Sequence, residues 1–361
     1  MRVRPPVVIS GREGRVLRSR SRIVLVCSLV LTASAAIAFG DDGSNTLVFP
    51  GDDPQKLKAI INDVLNGIKK NDSSLKNVWV TGTFSVGEGE GPPPQNIDSR
   101  LLRPRKFMLL IRDGKRRYEE DVFQRIGWVE EAFTGYRLMN DKGLFRLTRK
   151  QVSVFPLVNW EWRWQGQTVN FSDFQLVHDL MRSVPFSQFL ASCVARIDDK
   201  METSERWRKH LSITCSRAGS VVTVTVSPTD KRSPDFTTVR FDAAKNYLPV
   251  YTEHVSGKDG GPIYSQVVCR LEYEEIAPTV FYLKRGWRDA RMRGIAQGDG
   301  WRHKELHVKE VKSGDFDCDP ALFDPDKLPV PNDADILDYR SGNELRYSYR
   351  DGPLSQVIPG Q

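Results

Sequence analysis

Between residues 53 and 70 the apolar side chains Leu57, Ile60, Ile61, Val64, Leu65 and Ile68 recur at steps of three and four, with lysines and aspartates between them. That spacing gathers them on one face of an amphipathic helix. Pro54 suits the first turn, and Asp52 or Asp53 can cap it by accepting amide hydrogens that have no partner inside the helix. Asn71-Asp72-Ser73-Ser74 stops it.

Past this point the period drops from 3.6 to 2. Trp79, Thr81 and Thr83 alternate with Val78, Val80, Gly82 and Phe84, and the Gly/Pro-rich stretch 87–94 reads as a flexible loop. Segments 101–112 and 116–123 flank Asp113-Gly114. That dipeptide fits a type I′ hairpin, because both central residues need positive φ. Further strands are predicted at 131–139, 143–148, 160–164, 211–215, 221–226, 237–241, 250–255, 264–273 and 301–311. A second helix is predicted over 173–190 from Leu176, Val177, Leu180, Met181 and Val184, interrupted by Pro185. The pattern is mainly β with helices (α+β): about ten or eleven antiparallel strands, a leading helix and a central one, in a sheet large enough to curl on itself or cover one face. No βαβ alternation appears, which excludes a doubly wound parallel sheet.

The first 38 residues read differently. Seven arginines precede the apolar run 23–31, which ends in Ala36-Ile37-Ala38. Charge, then an apolar run too short to span a bilayer, then small residues is the order of a cleavable secretory leader. The expected organisation is a leader over 1–38, a loose segment over 39–52, one domain over 53–350 and a loose tail over 351–361. The protein is expected to be exported to the periplasm or extracellular space, with no integral membrane segment once the leader is removed. The leader also changes the charge picture. Of the net charge of +7, its seven arginines and one glutamate account for +6, leaving +1 for the rest. Elsewhere basic residues are interleaved with acids, as in Lys115-Arg116-Arg117-Tyr118-Glu119-Glu120, so no nucleic-acid footprint remains.

Four cysteines follow the leader: Cys193, Cys215, Cys269 and Cys318. An even number in an exported chain makes all four disulfide candidates, with three pairings that spacing does not rank. No metal or cofactor is implied. His303 and His307 fall on a predicted strand, where four residues separate them by about 13 Å, too far to grip one ion. The run Asp315-Phe316-Asp317-Cys318-Asp319 begins like a calcium loop but has Pro320 where the sharp turn needs glycine. There is no Gly-x-Ser-x-Gly elbow, and paired carboxylates such as Glu130-Glu131 or Glu274-Glu275 face opposite ways on a strand, so the chain is expected not to be an enzyme.

Three short stretches resemble the LolA/LolB-like lipoprotein carriers: Leu101-Leu102-Arg103-Pro104-Arg105-Lys106-Phe107, then Phe241 followed by Asp242-Ala243-Ala244-Lys245-Asn246-Tyr247-Leu248-Pro249-Val250, then Phe323-Asp324-Pro325-Asp326-Lys327-Leu328-Pro329. The resemblance runs over about residues 53–350. It implies a curved antiparallel half-barrel wrapped over its helices, holding an acyl chain or other apolar group, with a lipid, a lipidated protein or an envelope protein as partner. By the same resemblance Arg103 and Phe107 belong near the cavity mouth. Trp160, Trp162 and Trp164 form a row on one strand face, which suits an apolar core, a cavity lining or a platform for stacking sugars. A cell-envelope structural or interaction module with a filled interior is the alternative on the same fold.

Overall fold

The computed structural model describes residues 46–75, 77–90, 103–126, 129–156, 161–164, 167–170, 186–198, 210–230, 232–293, 300–341 and 343–357. The expected leader over 1–38 lies outside them. Helix α1 (Pro54–Ser74) forms where the apolar spacing places it. The Asp53 carboxylate accepts from the Gln55 amide at 2.9 Å, and Pro54 occupies the first turn. Its buried stripe, Leu57, Ile61, Val64, Leu65 and Ile68, is the predicted one.

Eighteen strands follow one another among the described residues: β1 (Thr46–Phe49), β2 (Val78–Glu90), β3 (Arg103–Arg112), β4 (Lys115–Ile126), β5 (Val129–Asn140), β6 (Gly143–Thr148), β7 (Gln151–Phe155), β8 (Glu161–Trp164), β9 (Gln167–Asn170), β10 (Leu211–Ala218), β11 (Val221–Pro228), β12 (Phe236–Asp242), β13 (Leu248–Gly257), β14 (Ile263–Ala277), β15 (Val280–Met292), β16 (Gly300–Ser313), β17 (Asp335–Asp338) and β18 (Leu345–Ser348). Sixteen form one open sheet in the order β1-β10-β11-β12-β13-β14-β15-β16-β2-β3-β4-β5-β6-β7-β17-β18, while β8 and β9 pair separately. Neighbours in the large sheet are antiparallel except β17 on β7. The chain is therefore mostly β with few helices, as expected, but with many more strands than the ten or eleven predicted.

Several differences have a local cause. β15 carries Lys284, Arg285, Arg288, Asp289 and Arg291, charges that hide its alternation although Tyr282, Leu283 and Ala290 are buried. β2 runs on to Glu90, through glycines expected to be loop, and pairs with Gly300 to His303 on β16. Gly89 fits there because the Trp301 ring lies over it: a Cβ would come within 2.9 Å of the indole nitrogen. The segment expected to be loose over 39–52 contains β1, whose Leu47 and Phe49 join the core. The tail expected to be loose contains α3 (Leu354–Val357), with Leu354 buried and the Ser355 amide donating to Asp326 at 2.8 Å. Four residues are too short to show a period. The Asp113-Gly114 hairpin is as predicted, with φ of 49° and 76°.

The core lies on both faces of the sheet. On one face α1 and helix α2 (Phe186–Ile197) cover Ile213, Cys215, Val222, Val224, Val239 and Phe241 of β10–β12. In β3, Phe107, Leu109 and Ile111 pack with β2, β4 and β13–β16, whereas Leu110 packs with β5–β7 and the closing segment 316–354. A strand buried on both faces reads as a continuous apolar run, which explains Phe107 to Ile111. The closing segment is irregular, so its carbonyls need side-chain donors. Arg112 donates to the Cys318 carbonyl at 3.1 Å, Arg117 to Leu322 at 2.8 Å and Asn140 to Phe323 at 2.9 Å.

Candidate functional site: an apolar cavity under helix α2

α2 is described from Phe186 onward, and Pro185, which the sequence pattern read as an interruption, lies outside the described residues. Beyond it Phe186, Phe189, Leu190, Cys193, Val194 and Ile197 recur at steps of three and four. Leu190 and Cys193 are buried against the sheet. Any part of the predicted helix over 173–185 lies outside the described residues.

Where α2 leaves the sheet towards the ends of β10–β13, a cavity of about 450 Å³ opens. Its walls are Phe189 and Cys193 of α2, Leu211 and Ile213 of β10, Val226 of β11 and Phe236 of β12. Thr237, Ser192, Ser227 and Ser256 are the small residues between them. Four ionisable side chains also line it: Arg196 in the last turn of α2, His210, Asp235 and His254. The Arg196 guanidinium lies 5.2 Å from the Phe49 ring centroid. Asp235 accepts the Gly257 amide at 2.8 Å, and His254 Nδ1 lies 2.9 Å from the Thr237 hydroxyl. His254 keeps an exposed edge, but burial of the rest of the ring lowers its pKa below the usual histidine range, against the opposing pull of Asp235. A concave, mostly apolar site with a few polar groups is the form that small-molecule sites take, and at 450 Å³ it falls within their usual size. It can offer a ligand burial and a polar rim.

Of the residues expected to form the site, Phe107 is placed elsewhere. Phe107 is buried in the core, 6.3 Å from Tyr118 in a stacked arrangement, so it is not at a cavity mouth. The reason is steric: β3 pairs it with Gly82, whose missing side chain leaves the space its ring fills. Arg103 pairs with Val86 at the start of β3, and its side chain lies outside the described residues. Trp162 and Trp164 face Val169 and Gln167 across the separate β8–β9 hairpin, their side chains undescribed, and Trp160 lies outside the described residues. The cavity residues were visible in the sequence only as the apolar period of α2 and the β-branched run of β10–β12.

The cysteines do not form the expected bridges. Cys193 and Cys215 belong to the core beneath the helices, Cys269 to the central core and Cys318 to the core under the closing segment, so three separate clusters hold four buried thiols. Burial pushes the Cys215 thiol up to about 11, and Cys269 likewise to about 11, with a hydrogen bond from Thr252 opposing. His303 and His307 lie on β16, a strand as predicted, 2.6 Å from Asp289 and 2.9 Å from Glu305. Among the described residues no three His, Cys, Asp or Glu side chains gather as a metal site. Asp319 caps the turn Pro320–Phe323, its carboxylate accepting the Ala321 amide at 2.9 Å.

No family model matches the chain, and no curated protein matches it. Among solved structures, LprF from Mycobacterium bovis is similar at 10% identity, covering 73% of this chain and 97% of its own, with a TM-score of 0.19. The MucA/MucB complex of Pseudomonas aeruginosa is similar at 8% identity, over 70% of this chain and 100% of that one, with a TM-score of 0.20. A mutant Rh. blastica porin is similar at 6% identity, over 64% and 99%, with a TM-score of 0.16. Likenesses of this strength do not bear on the fold or function of the chain. No helix of the described residues is long and apolar enough to cross a membrane.

Proposed function

We propose that the chain is an exported, non-catalytic binding protein that holds an acyl chain or another apolar group in the cavity between α2 and β10–β13, in the manner of a lipid or lipoprotein carrier. The single observation that supports this most is the cavity itself: about 450 Å³, walled by Phe189, Ile213, Val226 and Phe236. Apolar surface left open to water gains free energy when a ligand covers it, about 25 cal/mol per Å². The leader-like residues 1–38 support export, and the resemblance of three stretches to LolA/LolB-like carriers is consistent with the ligand class. No cofactor is required, because binding and release are the whole activity. A lipidated protein or an envelope protein would supply or receive the ligand.

The test is titration of the mature protein with an acyl-chain fluorophore, alongside mass spectrometry of lipids that co-purify with it. Saturable binding that Val226→Trp abolishes, with the variant's unfolding temperature retained, is the expected result. Failure of any apolar probe to bind would sink the carrier reading and favour the structural module with a filled interior. Oligosaccharide binding with no response to acyl probes would instead move the function to the tryptophan-bearing β8–β9 hairpin.

A further inference from the structure

We infer that the strand ends beside the cavity form a docking surface for an anionic lipid bilayer, with Lys258, Arg291 and Arg293 meeting the head groups and Tyr264 and Met292 dipping among them. This goes beyond the proposed binding function and does not depend on it. The first observation is continuity. The cavity is lined by Asp235 and Phe236 where β12 begins and by Ser256 near the end of β13, the same end of the sheet at which β14 begins and β15 finishes. Backbone bonds tie this end together: the Gly260 amide donates to the Arg232 carbonyl at 2.8 Å, the Lys258 amide to Pro262 at 3.2 Å and the Arg293 amide to Tyr264 at 2.7 Å. Residues 232, 257–264 and 291–293 therefore form one rim beside the cavity.

The second observation is exposed apolar surface. Met292 is 45% exposed and Tyr264 40%, two of the four large apolar side chains that are exposed among the described residues. Ser265 pairs with Met292, and side chains alternate along a strand, so Tyr264 and Met292 stand on opposite sides of one strand tip. The residues leading to them, Gly260, Gly261 and Pro262, are exposed and carry no bulky side chain. A tip that enters a lipid interface end-on covers both side chains, whereas a partner laid on either face of the sheet covers one. Tyrosine suits the level of the head groups, where its ring is buried and its hydroxyl stays wet.

The third observation is sign. Lys258, Arg291 and Arg293 are all exposed. Arg232 is exposed too, but its guanidinium lies 2.8 Å from the Asp230 carboxylate and also feels Asp259. Arg232, Lys258, Arg291 and Arg293 against Asp230 and Asp259 give the rim 4 − 2 = +2. The cavity wall adds one acid and one permanent base, Asp235 and Arg196, which leaves that sum unchanged. Past residue 38 the whole chain carries only +1, so the excess is local. Each lysine or arginine close to an anionic leaflet strengthens binding about fivefold, a gain that neutral lipid does not offer. Apolar side chains set among cations complement a bilayer that is anionic at its surface and apolar beneath.

The experiment is co-sedimentation of the mature protein with vesicles of phosphatidylcholine alone, and of phosphatidylcholine and phosphatidylglycerol in equal parts. The expected result is binding to the mixed vesicles about a hundredfold tighter than to the neutral ones, weakened by added salt. Lys258→Gln, Arg291→Gln and Arg293→Gln together should erase that preference. Lys115→Gln, Lys142→Gln and Lys309→Gln together remove the same charge from exposed positions on other strands and should change binding by about twofold or less. Tyr264→Ser with Met292→Ser should weaken binding about tenfold, and because both side chains are exposed the unfolding temperature should hold. No binding to the mixed vesicles, or equal losses from the two charge sets, would overturn the inference. So would a protein partner that the rim variants release while vesicles stay unbound, which would make the surface a protein interface. Acyl-probe binding in solution should be unchanged in the rim variants, so the two readings fail separately: a parent protein that binds vesicles but no acyl probe keeps the docking surface and loses the carrier.

Discussion

Gly82 and Phe107 show how one residue sets the position of another. A Cβ at Gly82 would stand 2.5 Å from the Phe107 ring and closer still to the His307 carbonyl. Ring atoms can move, but the backbone oxygen of a paired strand cannot move without breaking the ladder. Gly82→Ala is therefore expected to lower stability by about 1–3 kcal/mol, the usual cost of overpacking. Phe107→Leu in the same chain should recover only part of it, because the carbonyl contact remains; full recovery in denaturant unfolding would show that the ring is the whole obstacle. The cysteines make a second residue-scale prediction. Because burial pushes Cys215 and Cys269 up to about 11, little of either is thiolate at pH 8, and native protein should resist alkylation there. In denaturant without reductant all four of Cys193, Cys215, Cys269 and Cys318 should label. Fewer labelled thiols by peptide mapping would restore the disulfides that the even count suggested.

Elements were legible where their pattern is both regular and long enough. α1 and the Asp113-Gly114 hairpin follow from spacing and turn chemistry that local sequence decides. β15 was hidden because an inward-facing Arg288 and outward charges blur a two-residue period. The candidate site was less legible still. Its lining comes from α2 and four strands, and sequence order says nothing of which apolar residues are left uncovered. The closing segment depends on tertiary donors in the same way. Replacing Asn140, which donates to the Phe323 carbonyl at 2.9 Å, with Leu should cost about 1–3 kcal/mol, the penalty for a polar group stripped of its partner. At the end of β17, Asp338 gives a pH-dependent counterpart. Burial pushes its carboxyl up, but Arg340 donates to it from Nε at 3.0 Å and from an outer nitrogen at 2.8 Å, and the net shift is downward. A carboxyl lowered on folding stabilises above its unfolded pKa of about 4, and that contribution fades as pH falls through the lower folded value. Asp338→Asn should thus be less stable than the parent at pH 7, with the gap closing below about pH 4 in urea titrations. A gap that is constant over this range would mean the charge contributes nothing.

At the scale of the whole molecule, one sheet carries two covers at different places in its strand order. The helices lie over β10–β12, and the closing segment packs with β5–β7 and β17. The cavity belongs to the first region and α3 to the second. This separation predicts how binding and stability divide. Removing residues 353–361 deletes Leu354, which is 2% exposed, and the Ser355 bonds to Asp326. Losing a buried leucine alone costs about 2–5 kcal/mol. The truncated chain should unfold at lower denaturant, and hydrogen exchange should quicken in β6, β7 and β17 first, because the cluster Leu354 joins includes Phe145, Val152, Val154 and Ile336. Its affinity for an acyl probe should stay within about twofold, because no residue of that cluster lines the cavity and sites without shared partners behave independently. The probe, in turn, should slow exchange in α2 and β10–β13 and raise the unfolding temperature of both chains, since a ligand that binds only the folded state stabilises it by mass action. If truncation instead removed binding while the helices and β10–β13 kept their exchange protection, the sheet would be coupling its two ends, and the closing segment would belong to the binding device.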